Sequence, residues 1–348
     1  MKASRRRFVT AASLLAAPAI LRGRAARAAE VTLKLAHFLP PVAPAHAKLL
    51  KPWSEQVEAA SDGRISIRIY PSMQLGGSPA QLFDHVRDGV ADLAWTLPGY
   101  TPGRFPRLET FELPFVAAPT ALVNAQAVQE FATTQLGDEL GDVHLICAWA
   151  HDQGVLHSRK PITDLAGMQG LKVRFPNRLT GEALTALGAS AIGMPVPQVP
   201  ESLASGVIDA VVVPWEVVPA VKIQELVEYH VQFPGTPTFY VATMLVAMNK
   251  AKYEGMPDDL RAIIDTHTGM ETAIVAGKAF DEGSVAGKKA AEKRGNSITT
   301  LSEEETARWR EIAQPVVDNW LAAKKNEGID GTRLLEAARA LIAKYQQA

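Results

Sequence analysis

The stretch DLAGMQGLKVRFPN, residues 164–177, decides how the rest of the chain is read. Its second half alternates. Leu171, Val173 and Phe175 share one face of an extended segment, and Lys172 and Arg174 share the other. Pro176 has no N–H to give a neighbouring strand, so the ladder stops there. Arg174 therefore falls at the carboxyl tip of a strand, just ahead of a loop. In open α/β sheets ligands bind outside the carboxyl ends of the strands. A guanidinium there offers a carboxylate two parallel charge-assisted bonds. An arginine beside a turn is also an ordinary surface residue, and this strand alone does not choose between the two.

Helices and strands alternate on both sides of it. Downstream, residues 180–187 read as helix, 191–194 as a short strand and 201–205 as helix, and residues 208–213 form a strand that is apolar except for Asp209. Pro214 ends that strand. Trp215 is then either a helix-packing residue or an aromatic wall at a ligand end, and Glu216 reads as a cap or brace. Residues 231–233 and 239–249 are further strands. Pro234, Gly235 and Pro237 between them suggest a hinge, which places Phe239 and Tyr240 at a domain junction. Upstream, Val31, Leu33 and Leu35 alternate in a strand that ends at His37 and Phe38. A helix covers 45–60, and Ile65, Ile67 and Ile69 mark a second strand. A helix starting at Pro79 turns Leu82, Phe83, Val86 and Val90 inward, and a third strand spans 92–96. The turn-rich LPGYTPGRFP, 97–106, follows it. Trp95 and Tyr100 are either core or the apolar wall of a cleft. Residues 143–150 form another strand, and WAHDQG at 149–154 places Gln153 at a crossover. This β-α-β-α-β order implies a mainly parallel sheet and the α/β class.

The far end is helical. From Pro257, with Asp258 and Asp259 in a positive first turn, helical character runs to Arg294. A continuous helix of about 38 residues would be roughly 57 Å long, with breaks or bends expected at Gly269, Gly277, Gly283 and Gly287. Ser302 and Glu305 form a capping box, and a last helix spans 332–345.

Residues 1–28 read as an export leader. A twin-arginine pattern, SRRRFV at 4–9, precedes an apolar run at 11–21 that is too short to span a bilayer, and Ala26-Arg27-Ala28 suits cleavage. The leader holds seven of the 36 Lys+Arg and none of the 37 Asp+Glu. The remainder carries 29 basic against 37 acidic groups, a net of −8, which argues against a nucleic-acid partner. No later stretch reaches the length of a membrane span, so a soluble protein is expected. Cys147 is the sole cysteine, so no intrachain disulfide forms, and its apolar run makes it a small buried hydrophobe.

Several short motifs fall in a fixed order: Gly63-Arg64-Ile65, Gln74-Leu75-Gly76-Gly77, FELPF at 111–115, then Asp164, Leu165, Gly170, Lys172, Arg174 and Pro176. Leu187-Gly188-Ala189, Gly206-Val207-Ile208-Asp209 and Met248-Asn249-Lys250 come after. In order and spacing they resemble the substrate-binding proteins of TRAP (tripartite ATP-independent periplasmic) transporters, the DctP family, over nearly all of the chain after residue 30. The resemblance implies a periplasmic-binding-protein-like α/β fold: two α/β domains around a cleft, a hinge and long C-terminal helices. The domain limits expected are 31–152 plus 238–280 and 153–237 plus 281–348. It further implies a periplasmic monomer, not inserted in the membrane, that holds a small organic acid by Arg174 and delivers it to TRAP membrane subunits. No cofactor, metal or catalysis is implied.

The chain departs from the family pattern at two places. An arginine common soon after Gly154 is missing from Gly154-Val155-Leu156-His157, and an asparagine common near Val213 is absent, with Trp215 close by. His157 or His151 either compensates or is plain scaffold. Both departures point to a less polar acid, aromatic or otherwise apolar. The expected binding residues are Arg174, Trp215, Trp95, Phe239, Tyr240, Gln153, Asn177 and Tyr100. Rival classes are a ligand-sensing receptor and an enzyme on the same fold. Against the enzyme, no G-x-S-x-G, H-E-x-x-H, P-loop or G-x-G-x-x-G occurs, and the eight histidines lack metal-ligand spacing.

Overall fold

The computed structural model describes residues 29–347, so the export leader expected at 1–28 lies outside it. The chain begins with β1 (Val31–Ala36), α1 (Lys51–Ala60), β2 (Ile65–Tyr70), α2 (Leu82–Arg87) and β3 (Leu93–Thr96), then α3 (Ala121–Thr134) and β4 (Val143–Ala150). It crosses over to build β5 (Val155–Ser158), β6 (Lys172–Phe175), α4 (Arg178–Ala186), β7 (Ser190–Gly193), α5 (Val199–Ala204), β8 (Ala210–Val213) and β9 (Tyr229–Gln232). It returns for β10 (Thr243–Asn249), α6 (Lys250–Glu254) and α7 (Asp258–Thr266). The long α8 (Met270–Arg294), β11 (Ser297–Thr300), α9 (Glu303–Asn326) and α10 (Gly331–Gln346) complete it.

Two sheets result, in the order β2-β1-β3-β10-β4 and β11-β9-β5-β8-β6-β7. Each is parallel but for one internal strand. β10 runs antiparallel to β3 and β4, and β5 runs antiparallel to β8 and β9. These two are the strands that follow the crossovers, so each sheet is closed by a strand arriving from the other. The central strands are largely apolar, as strands covered on both faces must be: β8 and β10 are buried at every residue, and only Thr243 and Asn249 at the ends of β10 are polar. Cys147 lies buried in β4 without a disulfide partner, and burial pushes its thiol up to about 12. The two crossovers touch. The Gly154 N–H donates to Tyr240 O at 3.2 Å, and a Cβ at Gly154 would lie 1.8 Å from the Tyr240 ring, so only glycine fits.

The expected elements form, with corrections. The helix expected at 45–60 starts as six residues of π-helix, Ala45–Leu50, ahead of α1. The strand expected from 239 begins at Thr243, because 239–242 is the extended connector. The helical run after Pro257 is broken at Gly269, which takes a φ of +89°. No break falls at Gly277, Gly283 or Gly287; all three lie inside α8. They let its backbone approach its neighbours. An added Cβ would meet Leu122 Cα at 2.7 Å from Gly277, Glu216 Cβ at 2.9 Å from Gly283 and Trp215 O at 1.9 Å from Gly287. The cap on α9 is one-sided. Ser302 accepts from the Glu305 N–H, but the Glu305 carboxylate accepts instead from Leu165 N–H at 2.7 Å and Trp309 Nε1 at 3.2 Å. That pins α9 to the turn at 164–168. α10 returns to α3, where Lys344 pairs with Glu130 at 2.6 Å. Among the described residues no helix is long and apolar enough to cross a membrane.

Candidate ligand-binding site

Arg174 lies in β6 between β7 and β8, paired with Ile192 and Val211, and its residue is fully buried. Two backbone carbonyls hold the guanidinium: Nε donates to Met194 O at 2.8 Å and Nη1 to Val212 O at 3.2 Å. Nη2 is buried with no protein partner. Burial lowers the guanidinium's pKa from its ordinary value, and the hydroxyls of Tyr100 and Tyr240 oppose this. A buried cation without a counter-charge is costly. An arginine fixed at Nε and Nη1, with the Tyr100 hydroxyl beside it and Nη2 left unpartnered, is poised for an anion that the protein does not supply.

The space beside it is about 30 Å³, little more than room for a water and far below the roughly 300–1,000 Å³ of ligand sites, so the lining has to part to admit an acid. One side is lined by Phe38, Trp95, Leu97 and Met244, the other by Pro176, Val196, Val212 and Val213. Phe38 follows β1, Trp95 is in β3, Pro176 follows β6 and Val213 ends β8. The cavity therefore sits at carboxyl ends of strands from both sheets, as the α/β rule requires. Its aromatic wall is a stack: Phe38 on Trp95 at 4.6 Å between ring centres, and Trp95 on Trp149 at 6.4 Å. The polar groups on the lining are few: Arg174, Tyr240, His151 and Glu216. The Tyr240 hydroxyl is buried and unpartnered.

His151 is a neutral tie between the crossovers. Its Nε2 accepts from the Ala242 N–H at 2.8 Å, so Nδ1 carries the proton it donates to Asp152 O at 2.5 Å. Burial drops its pKa to about 4. His157 is buried inside β5. Its Nε2 donates to Val213 O at 3.2 Å, and its Nδ1 lies 2.6 Å from Nδ1 of His230. Burial and His230 hold its pKa well below 6.5. His157 is absent from the cavity lining and His151 reaches it uncharged, so neither replaces the missing arginine as a cation.

Of the residues picked from the sequence, Arg174, Trp95 and Tyr240 meet around this cavity. Tyr100 is off the lining but its hydroxyl is beside the guanidinium and accepts from the Val196 N–H at 3.1 Å. The other four lie elsewhere. Trp215 packs against His157 and His230, 5.1 and 4.9 Å between ring centres, because the turn after Pro214 directs it into the second sheet. Phe239 joins Phe115, Phe233 and Trp309 in a separate apolar junction. Asn177 caps α4 through Thr180 N–H at 2.9 Å and donates to Val241 O at 3.3 Å. Gln153 is half-buried at the crossover, its backbone N–H bound to Pro119 O. The sequence reading missed Phe38, Met244, Val212 and Glu216. Phe38 was within reach, since it follows the first strand much as Pro176 follows β6.

Two sheets exchanging strands around an apolar, arginine-bearing cleft define a solute-binding protein. The sequence profile of bacterial extracellular solute-binding protein family 7, DctP, matches residues 35–324, and the chain belongs to that family. It is similar to a marine metagenome TRAP solute-binding protein, from an unidentified microbe, specific for aromatic acid ligands and crystallised with 3-hydroxybenzoate. The two are 42% identical, the match covers 91% of this chain and 99% of that one, and the TM-score is 0.89. A TRAP solute-binding protein from Rhodoferax ferrireducens T118, in complex with copurified benzoate, is also 42% identical, with 91% and 98% covered and a TM-score of 0.88. One from Bordetella bronchiseptica with bound (R)- and (S)-mandelate is 31% identical, with 90% and 99% covered and a TM-score of 0.83.

Proposed function

We propose that the protein captures a small aromatic carboxylic acid in the periplasm and presents it to TRAP membrane subunits, without altering it. The observation that carries this is the unpartnered Nη2 of the buried Arg174, set beside a small cavity whose wall is otherwise aromatic and aliphatic. A carboxylate there receives charge-assisted bonds and its ring stacks on apolar surface. The benzoate, 3-hydroxybenzoate and mandelate found in the relatives fit the same description. In this reading the chain is a monomer exported by the twin-arginine route. One lobe is 31–152 plus 238–280, the other 153–237 plus 281–330, and α10 is returned to the first lobe. The lobes close on the two crossovers.

A thermal-shift screen of the leader-free protein, followed by calorimetry, tests this. Benzoate, phenylacetate and mandelate should raise the melting point, by about 2.7 kcal/mol of stabilisation at a hundredfold excess over Kd. Binding should saturate at one equivalent, and the acid should be recovered unchanged. Stabilisation by succinate but by no aromatic acid would overturn the proposal.

A further inference from the structure

Glu216 is the one acid on the cavity lining. It follows β8 by three residues, in the turn Trp215–Val217, and is 4% exposed. Its carboxyl makes neither a hydrogen bond nor an ion pair with any described residue. Arg174, on the same lining, bonds to Met194 O and Val212 O and not to Glu216. The turn that bears Glu216 is held from behind, where Gly283 brings α8 against its Cβ. A nearly buried polar group left without a partner costs free energy. Here the side without protein is the cavity.

We infer that Glu216 is a second polar subsite, binding a hydroxyl carried by the ring whose carboxylate Arg174 holds, so that hydroxylated aromatic acids are selected over bare ones. This rests on the carboxylate reading of Arg174. Burial, with Asp152 nearby, raises the Glu216 pKa well above its ordinary value. The group is then a neutral acid, with one O–H to donate and a carbonyl oxygen to accept. A hydroxyl is both donor and acceptor and satisfies it. A second carboxylate would leave it an unpaired charge to bury, which disfavours dicarboxylates.

The test is calorimetry of the leader-free protein with benzoate and with 2-, 3- and 4-hydroxybenzoate. One hydroxy isomer should bind the wild type about tenfold or more tighter than benzoate. In Glu216→Met that ratio should collapse to within about twofold. Glu216→Gln, which keeps a donor and an acceptor, should preserve most of it. A flat series in the wild type, or an undiminished ratio in Glu216→Met, overturns the inference while leaving the Arg174 reading intact. If Glu216→Met does not fold, the wild-type series and Glu216→Gln decide; a ratio lost in Glu216→Gln overturns the neutral-acid pairing. Failure of all four acids to bind overturns both readings.

Discussion

Replacing Arg174 separates its two duties. In the free protein, Arg174→Ala strips Met194 O and Val212 O of their donors. A buried carbonyl left unpaired costs about 1–3 kcal/mol, and a half-buried one less; Val212 is fully buried and Met194 half-buried, so roughly 1–4 kcal/mol is lost in total. Removing a buried cation offsets part of that, and a fall of several degrees in the melting point is expected. With ligand, the loss is larger in kind. A carboxylate buried beside Phe38 and Trp95 without its counter-charge costs about 3–5 kcal/mol, two to three and a half decades in Kd at about 1.4 kcal/mol per decade. Arg174→Lys keeps the charge but not the fork, so it should recover only part of this. Calorimetry with benzoate measures the second effect and ligand-free thermal unfolding the first. An Arg174→Ala protein that is destabilised yet binds benzoate within about threefold of wild type would make the guanidinium purely structural. Arg178 would not easily inherit the role, since Glu109 and Glu182 already engage it.

Three further outcomes are expected. Gly287→Ala drives a methyl to 1.9 Å from Trp215 O; it should cost about 3 kcal/mol in denaturant unfolding, and a change below about 0.5 kcal/mol would contradict the close approach of α8. Burial raises the Asp152 carboxyl from 3.8 to about 8, so its proton favours the fold below pH 3.8 and that stability is lost as pH rises towards 8. The melting point of wild type relative to Asp152→Asn should therefore fall between pH 4 and pH 8, and a constant difference across that window would show the carboxyl ionised in the fold. Saturating benzoate should reduce the radius of gyration in small-angle scattering, and an unchanged radius would count against closure on the crossovers.

Most sheet strands were legible because they are short alternating or wholly apolar runs between prolines and glycines, but the short β5 and the mostly polar β11 were not; Arg174 was legible because Pro176 fixes its place at a strand tip. α3 was not. Its inner face carries Asn124 and Gln129, both buried, which break the apolar period. Asn124 Nδ2 donates to Ala118 O and His151 O, and Gln129 Oε1 accepts from Ala148 N–H. Such residues look like a polar surface until their partners are known. Trp215 shows a second limit. Sequence placed it near a strand end but not on a face, and the turn after Pro214 sends it away from the cavity. The glycines of α8 show a third. Glycine lowers helix propensity, yet packing against α3 and the Trp215 turn overrides that over 25 residues.

The exchanged strands set a timetable for synthesis. β3 and β4 are not hydrogen-bonded to each other; β10 lies between them. β4 ends at Ala150 and β10 at Asn249, so about 100 residues must be added before the first sheet is complete. At roughly 5–20 residues per second, that gap lasts about 5–20 s. Throughout it both strands present bare edges, the form of chain most prone to pair with a neighbour. A nascent chain halted before Asn249 cannot form either sheet in full, since the second also awaits β11. A cut anywhere between β5 and β9 divides both cores at once, so no fragment inherits a finished lobe. The chain is therefore most open to mispairing while it is on the ribosome, and that window closes only when nearly all of it has emerged.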